Sequence, residues 1–267
     1  MSHCHGKQPR KHEPLQKPNG LVIYRGPSQL DGAPIIVVAT GIAGASRNEK
    51  TGDLIQTWIL REDISPTEAV STGADASICG TCPHRGKIVD GKNVGRSCYV
   101  TIFQAPLNVW KSYHRGIYPA ATPEQAQAIL SNRKVRLGSY GDPAAIPMHI
   151  WEVSLSKTLA RTGYSHAWRN APKSLAQYVM ASCDSVQDAI DAKALGYRTF
   201  RVTSLPAPQD KRSKEVVCPA SKEANYKTTC SNCLACGGHT AKAKADIVIT
   251  VHGAISKVNN ARQFLAA

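Results

Sequence analysis

The sequence predicts an α/β fold with a parallel sheet and crossover helices, followed by a cysteine-rich, metal-binding segment near the C-terminus. Two observations favour this fold: strand-length apolar runs alternate with amphipathic helical patterns, and polar residues follow the predicted strands. A third observation, four cysteines within residues 216–240, defines the metal-binding segment. The chain has 267 residues, enough for one large domain or two small ones.

The N-terminal part is predicted to be a flexible arm followed by the first strands of the core. Residues 1–30 are basic, rich in Pro, Gly and Gln, and show no period. The core is expected to cover residues 31–215, and its first apolar runs predict strands at 34–40 and 54–60. A helix is predicted to start at Ser65, which provides an N-cap before a proline.

The middle of the chain repeats a strand-and-helix pattern. A capping box predicts a helix start at Thr122, and further helices are expected after Pro147 and over 185–195, the last with Asp184 as its N-cap. The predicted strands are 134–139, 162–168, 177–182 and 198–203. A last strand and helix are expected within 241–267, packed on the core.

Polar residues cluster where these strands end, and in parallel α/β folds the carboxyl ends of the strands carry the chemistry. The residues are Ser139, Asp142, Ser165, His166, Ser182, Cys183, Thr203 and Ser204. We interpret the set as a functional site, because loops from separate strands face one another if the sheet curls. The alternative is that these residues are turn formers and helix caps, the interpretation we favour for Asp184.

The surest ligand set is the second cysteine group, which consists of Cys218, Cys230, Cys233 and Cys236. Thiols at CxxCxxC spacing with a distant Cys-Pro are typical of iron–sulfur ligation, and zinc is the alternative. Because four thiols fill every ligand position, this site is expected to be closed and either structural or electron-carrying.

The first cysteine group consists of Cys79, Cys82 and Cys98, with fifteen residues between the last two. Three thiolates leave one ligand position open, as a catalytic metal requires. A fourth ligand from His84, His114 or Cys183 would instead close the site.

The composition bears on partners and compartment. Nine cysteines in a chain whose start lacks an apolar signal segment favour a reducing compartment, so we expect a cytoplasmic protein. No apolar run is long enough for a transmembrane helix. The net charge of +14 keeps nucleic acid or a nucleotide among the expected partners. The sequence leaves the substrate and the oligomeric state open.

Three cysteines ahead of a helix, the last in the context Cys98-Tyr99-Val100, resemble the cluster loop of radical S-adenosylmethionine (radical SAM) enzymes. The resemblance implies a full or partial (β/α) barrel, which agrees with the alternation of strands and helices. It implies a [4Fe-4S] cluster on the first cysteine group and S-adenosylmethionine on its open iron. It further implies cofactor contacts from the turn after the next strand, which here contains Gly138, Ser139, Gly141 and Asp142, with Asp142 at the cofactor's amine. Ser182 is a further candidate for the cofactor, and the second cysteine group would correspond to an auxiliary cluster.

Two features depart from the usual pattern of that family. The common spacing is CxxxCxxC, whereas here two and then fifteen residues separate the thiols, a short-then-long order that some members share. Asp142 stands where glutamate is usual. The chain also resembles uncharacterised phage-encoded cysteine-rich proteins over most of residues 35–240, which would place it in the cytoplasm of a bacterial host.

The sequence and this resemblance therefore predict a radical SAM-like enzyme with one open and one closed cluster. In such an enzyme His166, Arg201 and Ser182 would line the pocket, with His166 and Arg201 as catalytic candidates. The alternative is a non-catalytic phage protein that binds nucleic acid and is stabilised by zinc or iron–sulfur sites. An iron–sulfur nuclease is disfavoured, because the Glu-x-Lys element of such sites is replaced by Glu152-Val-Ser.

Overall fold

A computed structural model describes residues 18–44, 51–204, 215–239 and 245–266, which form a mixed α/β fold around a nine-stranded sheet. The strands are β1 Gly20–Pro27, β2 Pro34–Thr40, β3 Ile55–Arg61, β4 Lys87–Val89, β5 Lys92–Val94, β6 Lys134–Tyr140, β7 Ala160–Ser165, β8 Met180–Cys183, β9 Thr199–Thr203, β10 Glu215–Val217 and β11 Asp246–Thr250. The helices are α1 Pro66–Thr72, α2 Ala76–Cys79, α3 Ala105–His114, α4 Pro123–Leu130, α5 Met148–Ser154, α6 Val186–Ala194, α7 Cys230–Cys233 and α8 Ile255–Ala266.

The large sheet has the order β1-β2-β3-β6-β7-β8-β9-β11-β10, and β4 and β5 form a separate hairpin. The first two pairings are antiparallel and every later one is parallel. From β3 to β9 the strands of this sheet follow one another in chain order; β10 then forms the edge, and β11 returns to lie between β9 and β10. The mostly parallel sheet that the sequence predicts is therefore present.

The described pairings do not close this sheet into a barrel, because its edge strands β1 and β10 do not pair with each other. The segments after β3 and after β11 nevertheless meet. Lys257 and Asn260 of α8 donate hydrogen bonds to the carbonyl of Arg96, at 3.3 and 3.0 Å, and the rings of Tyr99 and His252 stack. The sheet is thus curved enough to bring strands five places apart to the same cavity.

Apolar sequence runs explain the core. The buried positions of β2 are Ile, Ile, Val, Val and Ala in succession, the continuous pattern expected of a strand covered on both faces. Trp151 and Leu155, at the end of α5, are fully buried against the same core. Two predicted helix starts are confirmed: Ser65 accepts from the Glu68 N–H, and Thr122 with Gln125 forms a complete capping box.

Two sequence predictions are corrected. Strand β1 lies within residues 1–30, which we predicted to be an arm; Leu21, Val22 and Ile23 are buried against the core, whereas residues 1–17 lie outside the described part. The N-cap of α6 is Ser185, whose side chain accepts from the Asp188 N–H, and not Asp184. Because Ser185 caps α6, the Asp184 carboxylate is available for other contacts.

Within the part of the chain that the structure describes, no helix has the length and apolarity needed to span a membrane. This agrees with the sequence, in which no long apolar run occurs.

Candidate metal centres along one cavity

A cavity of about 530 Å³ lies against one face of the curved sheet. Residues of six strands line it, most of them at alternating positions, as expected for residues that share a face of a sheet. The strand residues are Gln56 and Trp58 of β3, Arg136, Gly138, Ser139 and Tyr140 of β6, Tyr164 of β7, Ser182 of β8, Phe200 and Val202 of β9, and Ile249 of β11. Members of both cysteine groups line the same cavity.

The first cysteine group is assembled by the segment that follows β3. Cys79 ends α2, and Cys82 precedes the short 3-10 helix Pro83–Arg85. The hairpin β4–β5 then reverses the chain, so that the N–H of Cys98 donates to the carbonyl of His84 at 2.9 Å. All three thiols line the cavity, which explains how a fifteen-residue spacing can still gather them.

The sequence carries a signal for this hairpin that our sequence analysis missed. Asp90 and Gly91 both have positive φ, 49° and 71°, as a two-residue type I′ turn requires. Asp-Gly between two short runs that contain Val or Ile is the typical pattern for that turn.

The glycine turn, residues 138–142, packs directly on the first cysteine group. The N–H of Asp142 donates to the carbonyl of Ile78, next to Cys79, at 2.6 Å. Gly141 has φ of 83°, and a Cβ there would lie 2.6 Å from Cβ of Ile59, so only glycine fits. Gly138, Ser139, Gly141 and Asp142 all line the cavity, so the structure brings these predicted cofactor residues together.

The carboxylate of Asp142 is already engaged by the backbone. It accepts hydrogen bonds from the N–H groups of Ala144, His166 and Ala167, at 2.9, 2.7 and 3.1 Å. Asp142 is 6% exposed. Its carboxylate therefore joins the ends of β6 and β7, and this structural task competes with the predicted contact to a cofactor amine.

Asp184 connects two imidazoles at the edge of the first cysteine group. His84 Nε2 lies 2.8 Å from Asp184 Oδ1, and His166 Nε2 lies 3.3 Å from Asp184 Oδ2. The Nδ1 atom of His84 lies 2.7 Å from Oγ of Ser97. Burial acts to raise the pKa of Asp184, but the two imidazoles outweigh it and hold that pKa well below its usual range. We call this group the His–Asp–His clamp.

Among the described residues, the clamp is the group whose ligand atoms lie close enough together to bind a single metal ion. Its three ligand atoms lie within 4.8 Å of one another, whereas no three of the described cysteines meet that condition. One zinc ion holds its thiolates about 2.3 Å from the metal, which places the sulfurs close together. The described thiols are therefore not gathered around the position of a single ion.

The remaining predicted residues divide into two sets. His166 and Ser182 line the cavity. Arg201 does not; it forms a buried ion pair with Glu215, in which Nη2 lies 2.6 Å from Oε2. Cys183 is fully buried. Neither Cys183 nor His114 lines the cavity, so the structure places neither as a fourth ligand of the first cysteine group.

The segment that carries Cys230, Cys233 and Cys236 lies near the amino-terminal ends of parallel strands, whereas Cys218 directly follows β10. Helix α7 is one turn with a cysteine at each end, and Leu234 follows in the left-handed conformation, so the chain turns back toward Cys236. The carbonyl of Cys236 accepts from the N–H of Gly163 in β7 at 3.1 Å. Cys218 and Cys230 reach the main cavity, and all four thiols line a smaller adjoining pocket.

Cationic side chains hold the backbone around the second cysteine group. Lys134 Nζ donates to the carbonyl of Ser231 at 2.8 Å, and Arg198 donates to the carbonyls of Ala235 and Gly238 at 2.8 and 3.0 Å. Burial raises the pKa of the Cys236 thiol to about 12, an effect that a hydrogen bond from Tyr164 partly offsets. Lys134 and Arg198 thus fix the backbone that carries these cysteines, while burial favours the neutral thiol of Cys236.

Comparisons of this chain with protein-family models, with curated proteins and with solved structures gave no match.

Proposed function

We propose that this chain is an iron–sulfur enzyme similar to radical SAM proteins, with a partial (β/α) barrel around the cavity. In this proposal the first cysteine group holds a [4Fe-4S] cluster with an open iron, and the second holds a closed auxiliary [4Fe-4S] cluster. The observation that carries the proposal is the joint position of the first cysteine group and the glycine turn, which meet beside Cys79 at one cavity.

A polar atom without a partner supports a group bound beside the first cysteine group. The hydroxyl of Tyr140 is buried and has no hydrogen-bond partner among the described residues. Burial, then the charges of Cys79, Asp75 and Cys98, raise the pKa of Tyr140 well above its usual value. Since buried hydroxyls are normally paired, a sulfur-rich group next to these thiols would supply the missing acceptor.

When bound, an open cluster of this kind supplies the electron for reductive cleavage of S-adenosylmethionine. We assign cofactor binding to the glycine turn and to Ser182, and a catalytic role in the cavity to His166. The Asp142 carboxylate positions the turn and His166, which leaves the backbone of the turn to contact the cofactor. Arg201 receives no catalytic role, because Glu215 neutralises it.

The test is formation of 5′-deoxyadenosine by the anaerobically prepared, iron-loaded protein, with S-adenosylmethionine and dithionite. We expect product from the wild type and from Cys183→Ala, the matched control, which removes a thiol outside the cavity. Cys79→Ala, Cys82→Ala and Cys98→Ala should each abolish product. Absence of product from an iron-loaded wild type would refute the enzymatic proposal.

The compactness of the clamp favours a second candidate, a zinc-stabilised binding protein whose charge of +14 attracts nucleic acid. This candidate predicts a colourless protein with one zinc ion, retained in Cys79→Ala and lost in Asp184→Asn. It also predicts binding of single-stranded DNA or RNA that weakens steeply with salt. Retention of zinc in Asp184→Asn would exclude the clamp as the site.

A further inference from the structure

Arg136 reaches into the cavity from the middle of the sheet. Its Nη2 atom donates to the hydroxyl of Tyr99 at 2.9 Å, and its guanidinium lies 5.8 Å from the centre of the Tyr164 ring. Tyr99 follows Cys98 directly, so this hydrogen bond runs from the first cysteine group to β6. The guanidinium therefore lies between Tyr99 and Tyr164 at the cavity wall.

Other arginines near the two centres direct their terminal guanidinium nitrogens to protein carboxylates or carbonyls. Arg85 and Arg201 pair with carboxylates at 2.6 Å, and Arg198 donates to backbone carbonyls. Among the described residues, Arg136 has no carboxylate within 4.0 Å, and its hydrogen-bond acceptor is the Tyr99 hydroxyl. A guanidinium has five N–H donors, so most of those on Arg136 are available to a ligand.

The surroundings of Arg136 favour an anion that carries a flat ring. The acidic residue that lines the cavity is Asp142, and its carboxylate is already held by backbone N–H groups. Aromatic side chains dominate the adjacent wall, where the rings of Tyr164 and Phe200 lie 4.3 Å apart and Trp58 also faces the cavity. The cavity volume lies within the range of sites for small molecules.

We infer that Arg136 binds the anionic group, a carboxylate or a phosphate, of a small aromatic substrate whose ring packs against Tyr164 and Phe200. This inference rests on the proposed function, since it names the substrate class of the same cavity. A planar guanidinium suits both anions, because each presents two oxygens to its parallel N–H groups.

Two other roles for Arg136 compete with this one. The side chain could serve only as a counter-charge for the second cysteine group, since its electrostatic partners include Cys230 and Cys236. It could also bind the carboxylate of S-adenosylmethionine. The experiment is designed to separate substrate binding from both.

The experiment titrates the iron-loaded, full-length protein with phenyl phosphate, with phenylacetate, and with the neutral analogue 2-phenylethanol. Binding is measured by calorimetry and by quenching of tryptophan fluorescence, because Trp58 faces the cavity. The variants are Arg136→Gln, Arg136→Lys and, as the matched loss of one charge away from the cavity, Arg115→Gln.

We expect at least one anion to bind the wild type and Arg115→Gln about equally, and at least tenfold more tightly than 2-phenylethanol. Arg136→Gln should weaken anion binding roughly tenfold or more and leave iron content and 2-phenylethanol binding unchanged, since it removes a bidentate charged contact. Arg136→Lys keeps the charge but not the paired N–H donors, so its affinity for the anion should lie between those of the wild type and Arg136→Gln. The preferred anion then distinguishes phosphate from carboxylate substrates.

Several results would overturn the inference: no saturable binding of either anion, equal binding of the neutral analogue, or anion binding unchanged in Arg136→Gln. Displacement of the bound anion by S-adenosylmethionine would assign Arg136 to the cofactor and would also overturn it. Formation of 5′-deoxyadenosine is measured separately, so failure of the proposed function and failure of this inference are distinguishable.

Discussion

The two cysteine groups differ in how the chain builds them and in what surrounds them. The second takes three of its thiols from seven consecutive residues, shaped by one helical turn, and cations hold the neighbouring carbonyls. The first takes its thiols from a loop closed by a hairpin, and the His–Asp–His clamp fixes that loop to the ends of β7 and β8. One group is a compact local motif, and the other depends on tertiary contacts.

This difference separates the expected tasks of the two groups. A local motif with four thiols can retain a saturated cluster with little help from the sheet. A three-thiol site requires the surrounding structure to hold the loop and to place other groups at the open position. Substitutions in the cavity should therefore affect the first centre more than the second.

The largest effect is expected from removal of one ligand in each group. Cys82→Ala should lose about four iron atoms per chain and all 5′-deoxyadenosine formation, because one cluster of four irons is lost. Cys233→Ala should also lose about four iron atoms, yet keep the first centre. Iron and sulfide analysis with Cys183→Ala as the control checks this, and loss of all iron in either variant would contradict independent sites.

The next effect concerns the clamp. Asp184→Asn should lower the free energy of unfolding by about 3 kcal/mol, because it leaves two imidazoles beside a neutral amide in a buried site. It should also lower iron retention at the first group and not at the second. Urea unfolding at pH 7, with Asp191→Asn on the exposed face of α6 as control, measures the first effect.

The pH dependence of the stability difference between wild type and Asp184→Asn follows from the pKa shifts of Asp184 and His166. The pKa of Asp184 is lowered, so its contribution is present above about pH 4 and is lost as the pH falls through the folded value. The pKa of His166 is raised by Cys82 and Asp184 against the effect of burial, so its contribution is lost only as the pH rises through that raised value. The stability difference between wild type and Asp184→Asn should not shrink from pH 7 to pH 5; a smaller difference at pH 5 would refute the ion-pair account.

A smaller effect is expected at the second group. Arg198→Met removes charged donors from the carbonyls of Ala235 and Gly238 and should cost about 2 kcal/mol of stability. Iron should be lost from the second group, while 5′-deoxyadenosine formation persists. Urea unfolding, iron analysis and the 5′-deoxyadenosine assay check this prediction. Selective loss of iron from the first group would contradict the proposed difference between the two groups.

The smallest effect is expected for Tyr140→Phe. The hydroxyl has no protein partner among the described residues, so its removal should change the free energy of unfolding by less than about 1 kcal/mol. If the hydroxyl donates to a cluster at the first group, the reduction potential of that cluster should become more negative. Potentiometric titration followed by EPR measures this, and an unchanged potential would remove Tyr140 from the site.

The sequence predicts much of this fold because its local signals are strong. The apolar run of β2 and the capping box at Thr122 appear as predicted, and chemistry-bearing residues were expected where the strands end. The contacts of Asp184 with His84 and His166 are not predicted, because the helix that follows Asp184 suggests a capping role for it. Ser185, with Asp188 three positions later, is the better capping pair. The prediction that Arg201 lines the pocket is wrong because the sequence does not reveal which face of β9 meets the cavity. The structure places the neighbouring Phe200 and Val202 there instead.

The most direct test of the account is Mössbauer spectroscopy of anaerobically prepared protein enriched in 57Fe, with and without S-adenosylmethionine. The account predicts about eight iron atoms per chain in two [4Fe-4S] clusters, with one iron changed by S-adenosylmethionine in the wild type. That change should be absent in the triple variant Cys79→Ala, Cys82→Ala, Cys98→Ala, which should keep one cluster. A colourless wild-type protein that contains zinc and no iron would contradict the account.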